Sequence, residues 1–178
     1  MEFRTLSMLR QPPEKVWEIM RDRMHETAAG VEDVESVEAK FRREDEPGRV
    51  RTLYHWTSAP RLPALLQNQL QPGMLSWEDS ALWDDARQVC DWRIRSDYFQ
   101  DKMICHGTTT FAPAMGGRGC RLTFEGTIQW TDHTLPGIGR LQGPVLKLLE
   151  GVLAKMIPNN FQRVAKAVEQ IAGDESPA

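Results

Sequence analysis

This chain is poor in the residues that build staples and metal knuckles. It has three cysteines, Cys90, Cys105 and Cys120. An odd number with no C-x-x-C pair excludes a disulfide framework and argues against a zinc knuckle. The simpler expectation is reduced thiols in a cytoplasm. The N-terminal "MEFRTLSMLR" has no basic region followed by an apolar core, so no signal peptide is expected. No stretch reaches the roughly 20 apolar residues a membrane helix needs. Lysine and arginine never cluster into a stripe, and net charge is −3, so nucleic acid is not an expected partner. His25, His55, His106 and His133 form no H-E-x-x-H or H-x-H, and no metal or other cofactor is expected. There is no G-x-S-x-G, so a hydrolase elbow is unsupported.

What is present suits a single domain over 1–172 with a short tail over 173–178. The chain of 178 residues is 40% hydrophobic and 26% charged, with no internal linker. "EFRTLSML" alternates as a strand with both faces partly covered. "QPPEKVWEIMRDRMHETAAG" follows. Pro13 suits a first helical position, and Val16, Met20 and Met24 repeat at helical spacing, which predicts one amphipathic helix ending near Gly30. Val37, Ala39 and Phe41, then Val50, Thr52, Tyr54 and Trp56, alternate on either side of "EDEPGR" as a hairpin. Residues 58–86, rich in proline and tryptophan, are ambiguous at their start. "MLSWEDSALWD", "RQVCDWRIRS", "KMICHGTTTFA" and "CRLTFEGTIQWT" read as further strands, with "PAMGGRG" as a turn. Strands greasy on one side make a curved antiparallel sheet that needs a cover.

The cover is the C-terminal stretch from Gly143. Its first half carries a wide apolar arc from Val145 to Ile157, and its second half a stripe of Phe161, Val164, Val168 and Ile171. Pro158 between them is expected to kink or break the helix. A long helix across a curved sheet leaves a space between the two.

This layout resembles the helix-grip fold of the START/Bet v-type superfamily, also called SRPBCC or polyketide cyclase-like. The likeness rests on "QPPEKVWEIM", the glycine-centred hairpin in "FAPAMGGRGCRLTFEGTIQW", the segment "LPGIGRLQGP" and the apolar last helix. It spans nearly the whole chain and is similar to a bacterial branch of START-like proteins. The resemblance implies an α+β fold, a curved antiparallel sheet around a long C-terminal helix, with an apolar cavity between. It also implies a small hydrophobic ligand such as a lipid, sterol, isoprenoid or polyketide. The fold hosts carriers and enzymes alike, so it names no ligand.

The expected cavity wall is Tyr54, Trp56, Trp92, Cys105 and Phe124 on the sheet, with Leu149, Leu153 and Met156 on the helix. For each aromatic, plain core filling competes with ligand contact. Cys105 and Thr109 share a face with Met103 and Phe111 and are equally read as core. His55 and His106 fall on outward faces; an acid/base pair would need one beside Glu125 or Glu38. Glu78, Asp79, Asp84 and Asp85 read as a solvated acidic loop without calcium-loop spacing. The first functional reading is a carrier or sensor of an apolar molecule. The second is a cyclase or dehydratase working in the same cavity, for which no inward acid/base group is visible. The third is an interaction module using "PALLQNQL". The last helix also admits transient contact with a membrane surface during unloading. The oligomeric state is not specified by the residues.

Overall fold

The structure is a computed structural model, and it describes residues 1–31, 34–58, 76–132 and 142–174; the side chains of 142 and 144–146 are outside that description. The segments "PALLQNQL" and most of "LPGIGRLQGP", together with His133, also lie outside it.

The order is β1 (Glu2–Leu9), α1 (Pro13–Asp22), α2 (Met24–Ala29), β2 (Val34–Glu46), β3 (Arg49–Ser58), β4 (Ser76–Asp84), β5 (Val89–Ser96), β6 (Met103–Ala114), β7 (Gly119–Trp130) and α3 (Gln142–Asp174). All seven strands join one antiparallel sheet in the order β1-β7-β6-β5-β4-β3-β2. The two edges, β1 and β2, are the strands that the helices α1 and α2 separate in sequence. Each strand presents alternate residues to one face, and that face curves around α3. Leu122, Phe124 and Ile128 of β7 are buried there, as are Met103, Cys105, Thr109 and Phe111 of β6.

Several local expectations need correction. β1 is covered on one face only. Thr5 and Leu9 are buried, while Leu6 and Met8 remain about half exposed, at 50% and 46%. The segment after Pro13 is not one helix. Arg23 leaves helical geometry at φ −126°, ψ 34°, and its guanidinium bonds Glu26. The break lets two short helices serve two clusters. Val16, Trp17 and Met20 of α1 enter the main core; Met24 and Ala28 of α2 cover Tyr54 and Trp56. Phe41 is 44% exposed, where β2 shifts register after Ala39.

Pro158 does not break α3, which runs through it. A proline there forfeits one backbone bond and crowds the previous turn, at a cost of about 3 kcal/mol. Burial of Phe161, worth about 1.5–3 kcal/mol, and the partial burial of Met156 and Ile157 against the core offset it.

α1 is fastened to the sheet by polar contacts at its C-terminal end. Arg21 bonds Asp22 and, at 2.7 Å, Asp85 in the β4–β5 turn; Trp17 Nε1 donates to the same Asp85 carboxylate at 2.9 Å. Asp22 also receives Arg42 from β2. Burial raises the Asp22 carboxyl, but the hydrogen bonds and charges of Arg21 and Arg42 outweigh it and hold the group below its ordinary value. Asp85 is thus a structural acceptor in a turn, not a solvated member of an acidic loop.

Candidate functional site

Between the concave face of the sheet and α3 lies a partly open apolar cavity of about 180 Å³. For scale, a dry apolar cavity of about 150 Å³ takes a benzene ring. Its floor comes from alternate residues of adjacent strands: Trp56 of β3, Trp77, Asp79, Ala81 and Trp83 of β4, Trp92 and Ile94 of β5, Cys105 and Thr109 of β6, and Phe124 of β7. Its roof is Leu153, Met156, Ile157, Phe161 and Val164 of α3. Met20 and Met24 close the side beneath the short helices.

Of the eight residues the sequence marks as wall, six line this space: Trp56, Trp92, Cys105, Phe124, Leu153 and Met156. Tyr54 and Leu149 do not. Tyr54 faces the same side of β3 but is covered by Met24 and Ala28, and burial raises its phenol above the usual value. Leu149 lies one turn before Leu153 and is 1% exposed, packed wholly into the core.

The aromatic wall is ordered by ring contacts. Trp92 stacks on Phe124 at 4.6 Å between centroids, and Phe124 stacks on Phe161 of α3 at 4.2 Å. A pair of glycines makes room for Trp92. Gly107 and Gly126 face each other across β6 and β7, and a Cβ on either would come within 2.5 Å of the Trp92 ring. At the other end Trp56 and Trp77 stack in parallel at 6.0 Å.

Asp79 is the residue that sequence reasoning missed. It lies on strand β4, not in a loop, and points into the cavity with Trp77, Ala81 and Trp83. Asp79 is partly buried, and its Oδ1 is shielded from solvent. Its Oδ1 meets no hydrogen-bond partner among the described residues. Burial pushes its carboxyl up to about 7. The indole Nε1 atoms of Trp56 and Trp92 are also buried without acceptors among the described residues. The signal was present in the sequence: Asp79 holds the same parity as Trp77, Ala81 and Trp83, a charge set in an apolar row.

The cavity thiols are not nucleophiles. Burial, assisted by the Asp79 charge, raises the Cys90 thiol well above its ordinary value and pushes Cys105 up to about 12. Cys105 therefore offers a neutral surface. His55 stands opposite Glu38 across β2 and β3, but the two make no acid/base pair facing the cavity. Glu38 takes Lys40 as its partner, and Glu125 takes Arg4. The carboxylate that bonds a histidine is Asp97, which accepts from His55 Nε2 at 2.7 Å and from the Ser76 hydroxyl. That cluster ties β3 and β4 to the residue that follows β5. Both partners donate to the carboxylate, so no chain from serine through histidine exists there.

No protein-family model matches the sequence, and no curated protein does. Solved structures match over the full fold. An aromatase/cyclase, Zhui, from Streptomyces sp. R1128 superposes with TM-score 0.67 at 18% identity, over 100% of this chain and 96% of that one. The protein TTHA0849 from Thermus thermophilus gives 0.66 at 22% identity, over 99% and 100%. Norcoclaurine synthase from Thalictrum flavum gives 0.63 at 10% identity, over 100% and 89%. The chain therefore has the helix-grip fold that these structures share.

Proposed function

We propose that this protein binds a small hydrophobic molecule between α3 and the sheet, as a carrier or sensor. The cavity carries this reading: its wall is almost wholly apolar, and it lies where the fold leaves space between helix and sheet. Neighbours of the same fold, one of them an aromatase/cyclase, support it. The driving force is removal of apolar ligand surface from water, at roughly 25 cal/mol per Å² before ordering costs. No described helix is long and apolar enough to cross a membrane, so α3 serves this scheme as a cavity roof.

The experiment is extraction of protein purified gently from its own host, read by mass spectrometry beside a Leu153→Trp variant. Leu153 lines the roof, and the larger side chain fills the space. A compound present with the wild type and missing from a folded variant supports the reading. The same compound at equal occupancy in both would remove Leu153 from the wall.

A second reading, an enzyme of the cyclase or dehydratase type, gains one specific observation: an inward carboxyl able to exchange a proton near neutrality. It requires that loss of Asp79 abolish turnover while leaving substrate binding in place.

A further inference from the structure

We propose that the cavity is built for an apolar amine, an aromatic or alkyl body bearing one ammonium group held by the Asp79 carboxylate between tryptophan faces. The inference rests on the hydrophobic-ligand reading and narrows it to a ligand class.

The first argument is register. Asp79 lies between two other inward β4 positions, Trp77 and Ala81. Trp77 before it is opposite Trp56 of β3, and Ala81 after it is opposite Trp92 of β5. Tyr54 and Ile94 stand directly opposite Asp79; diagonal neighbours on one face of a sheet are about 7–8 Å apart, which puts Trp56 and Trp92 diagonally on its two sides. Indole faces attract a cation through their quadrupole, most strongly where water is excluded.

The second argument is charge. Among the described residues lining the cavity there is no lysine, arginine or histidine. Asp79 has neither an ion pair nor a hydrogen bond among the described residues. A buried carboxylate without a partner is expensive, and protein interiors normally pair or neutralise it. Among the described residues of the wall there is no compensating group. An ammonium supplies the opposite charge and several donors to an acceptor-only carboxylate. A ligand hydroxyl supplies one donor and no charge.

The third argument is titration. The other titratable groups facing Asp79 are Tyr54 on β3, Cys90 on β5 and Cys105 on β6, and burial keeps all three neutral through the physiological range. The facing part of α3 contributes Asn160 and apolar residues, and α1 and α2 contribute Met20 and Met24. Asp79 alone among the described lining residues changes charge near pH 7, with its carboxyl pushed up to about 7 by burial in the empty cavity. Amine binding would pull that value down, because the cation favours the ionised form.

The test is calorimetry with phenylbutylamine and the matching neutral alcohol, phenylbutanol, on the wild type and on Asp79→Asn. At about pH 8 the amine is expected to bind the wild type about tenfold more tightly than the alcohol, the size of one favourable charge contact. In Asp79→Asn that preference disappears, while the alcohol's affinity changes by less than about threefold. A second measurement needs no variant. Lowering the wild type to about pH 5.5 protonates Asp79 and erases the amine preference, since an alkylammonium stays charged there. An alcohol that binds as tightly as the amine at about pH 8 overturns the inference and leaves the cavity reading standing. So does an amine preference that survives in Asp79→Asn. Binding of neither probe overturns the hydrophobic-ligand reading, and the inference with it.

Discussion

Four tryptophans are buried among the described residues, and they divide into two pairs. Trp17 and Trp83 meet edge to face at 5.2 Å, and each indole N–H has an acceptor, Asp85 for Trp17 and the Thr52 hydroxyl for Trp83. Trp56 and Trp92 are buried as deeply, at 6% exposure each, yet neither N–H has an acceptor among the described residues. The first pair closes the end of the sheet under α1 with Phe111, and its polar atoms are accounted for. The second pair flanks Asp79, also unpartnered. A buried polar group without a partner costs about 1–3 kcal/mol. Among the described residues three such atoms stand on one wall; at the other end the tryptophans are satisfied and Gln88 Oε1 is the unpaired atom, so the concentration around Asp79 is what the proposed ligand would relieve.

The strongest way to break this contrast is Gly107→Ala. Trp17 and Trp83 pack on each other and on Phe111, whereas Trp92 packs on Phe124 and over two positions that carry no side chain. A Cβ at 107 would stand 2.1 Å from the Glu125 carbonyl oxygen and 2.5 Å from the Trp92 ring. The expected cost is about 3 kcal/mol, the upper end for overpacking, seen as a melting temperature lower by about 6–12 °C. Unchanged melting would mean that the Trp92 ring does not rest on the glycine pair.

Asp79→Asn has a smaller and opposite effect in the empty protein. The Asp79 carboxyl is pushed up to about 7 in the fold, against an ordinary 3.8. Between those values the unfolded chain has released this proton and the folded chain has kept it. Stability from this group therefore falls as pH rises from about 4 to about 7, and is level above that. Removing the charge stabilises the ligand-free protein by about 1–3 kcal/mol at about pH 8, with an unpaired buried amide as the residual cost. Urea unfolding across that pH range checks it. The wild-type stability should decline between about pH 4 and pH 7 more steeply than the variant's. Parallel curves would show that the carboxylate has a partner in solution.

Most of the sheet was legible because a strand has a period of two and each inner face is apolar. That parity placed Trp56, Trp92, Cys105 and Phe124 on the wall, and the helical stripe placed Leu153 and Met156. Parity is silent about what lies above a strand, so it put Tyr54 on the correct face without showing that α2 covers it. The spacing of Met20 and Met24 continues smoothly through Arg23, so no periodicity records that one residue leaves helical geometry. Asp79 was lost for a different reason. "WEDSALWDD" carries four acidic residues, and three of them do behave as a polar surface or turn. Local acidic density outweighed the alternation that sets Asp79 between Trp77 and Ala81. A cavity is a property of packing between distant elements, and no local pattern encodes its volume.

The finest test of the two tryptophan classes is a matched pair, Trp83→Phe and Trp92→Phe. Both substitutions delete the same atoms from buried positions at 3% and 6% exposure, so the loss of apolar area is nearly equal. They differ in what happens to polar groups. Trp83→Phe removes the donor to Thr52, whose hydroxyl-bearing side chain belongs to a residue 1% exposed and is left to find another partner inside the core. Trp92→Phe removes a donor that had no acceptor among the described residues, and none of them is orphaned by its loss. Trp83→Phe should therefore be the more destabilising by about 1 kcal/mol in urea unfolding, the net worth of one buried hydrogen bond. With phenylbutylamine bound the order has a further meaning. On the amine reading Trp92 gives its ring face to the ligand beside Asp79, so Trp92→Phe is expected to weaken amine binding more than Trp83→Phe, whose indole also lines the cavity but lies beyond Ala81 from the carboxylate. Equal unfolding costs and equal binding would show that the two ends of the sheet are one continuous core, and that the unpaired atoms around Asp79 do not mark a site.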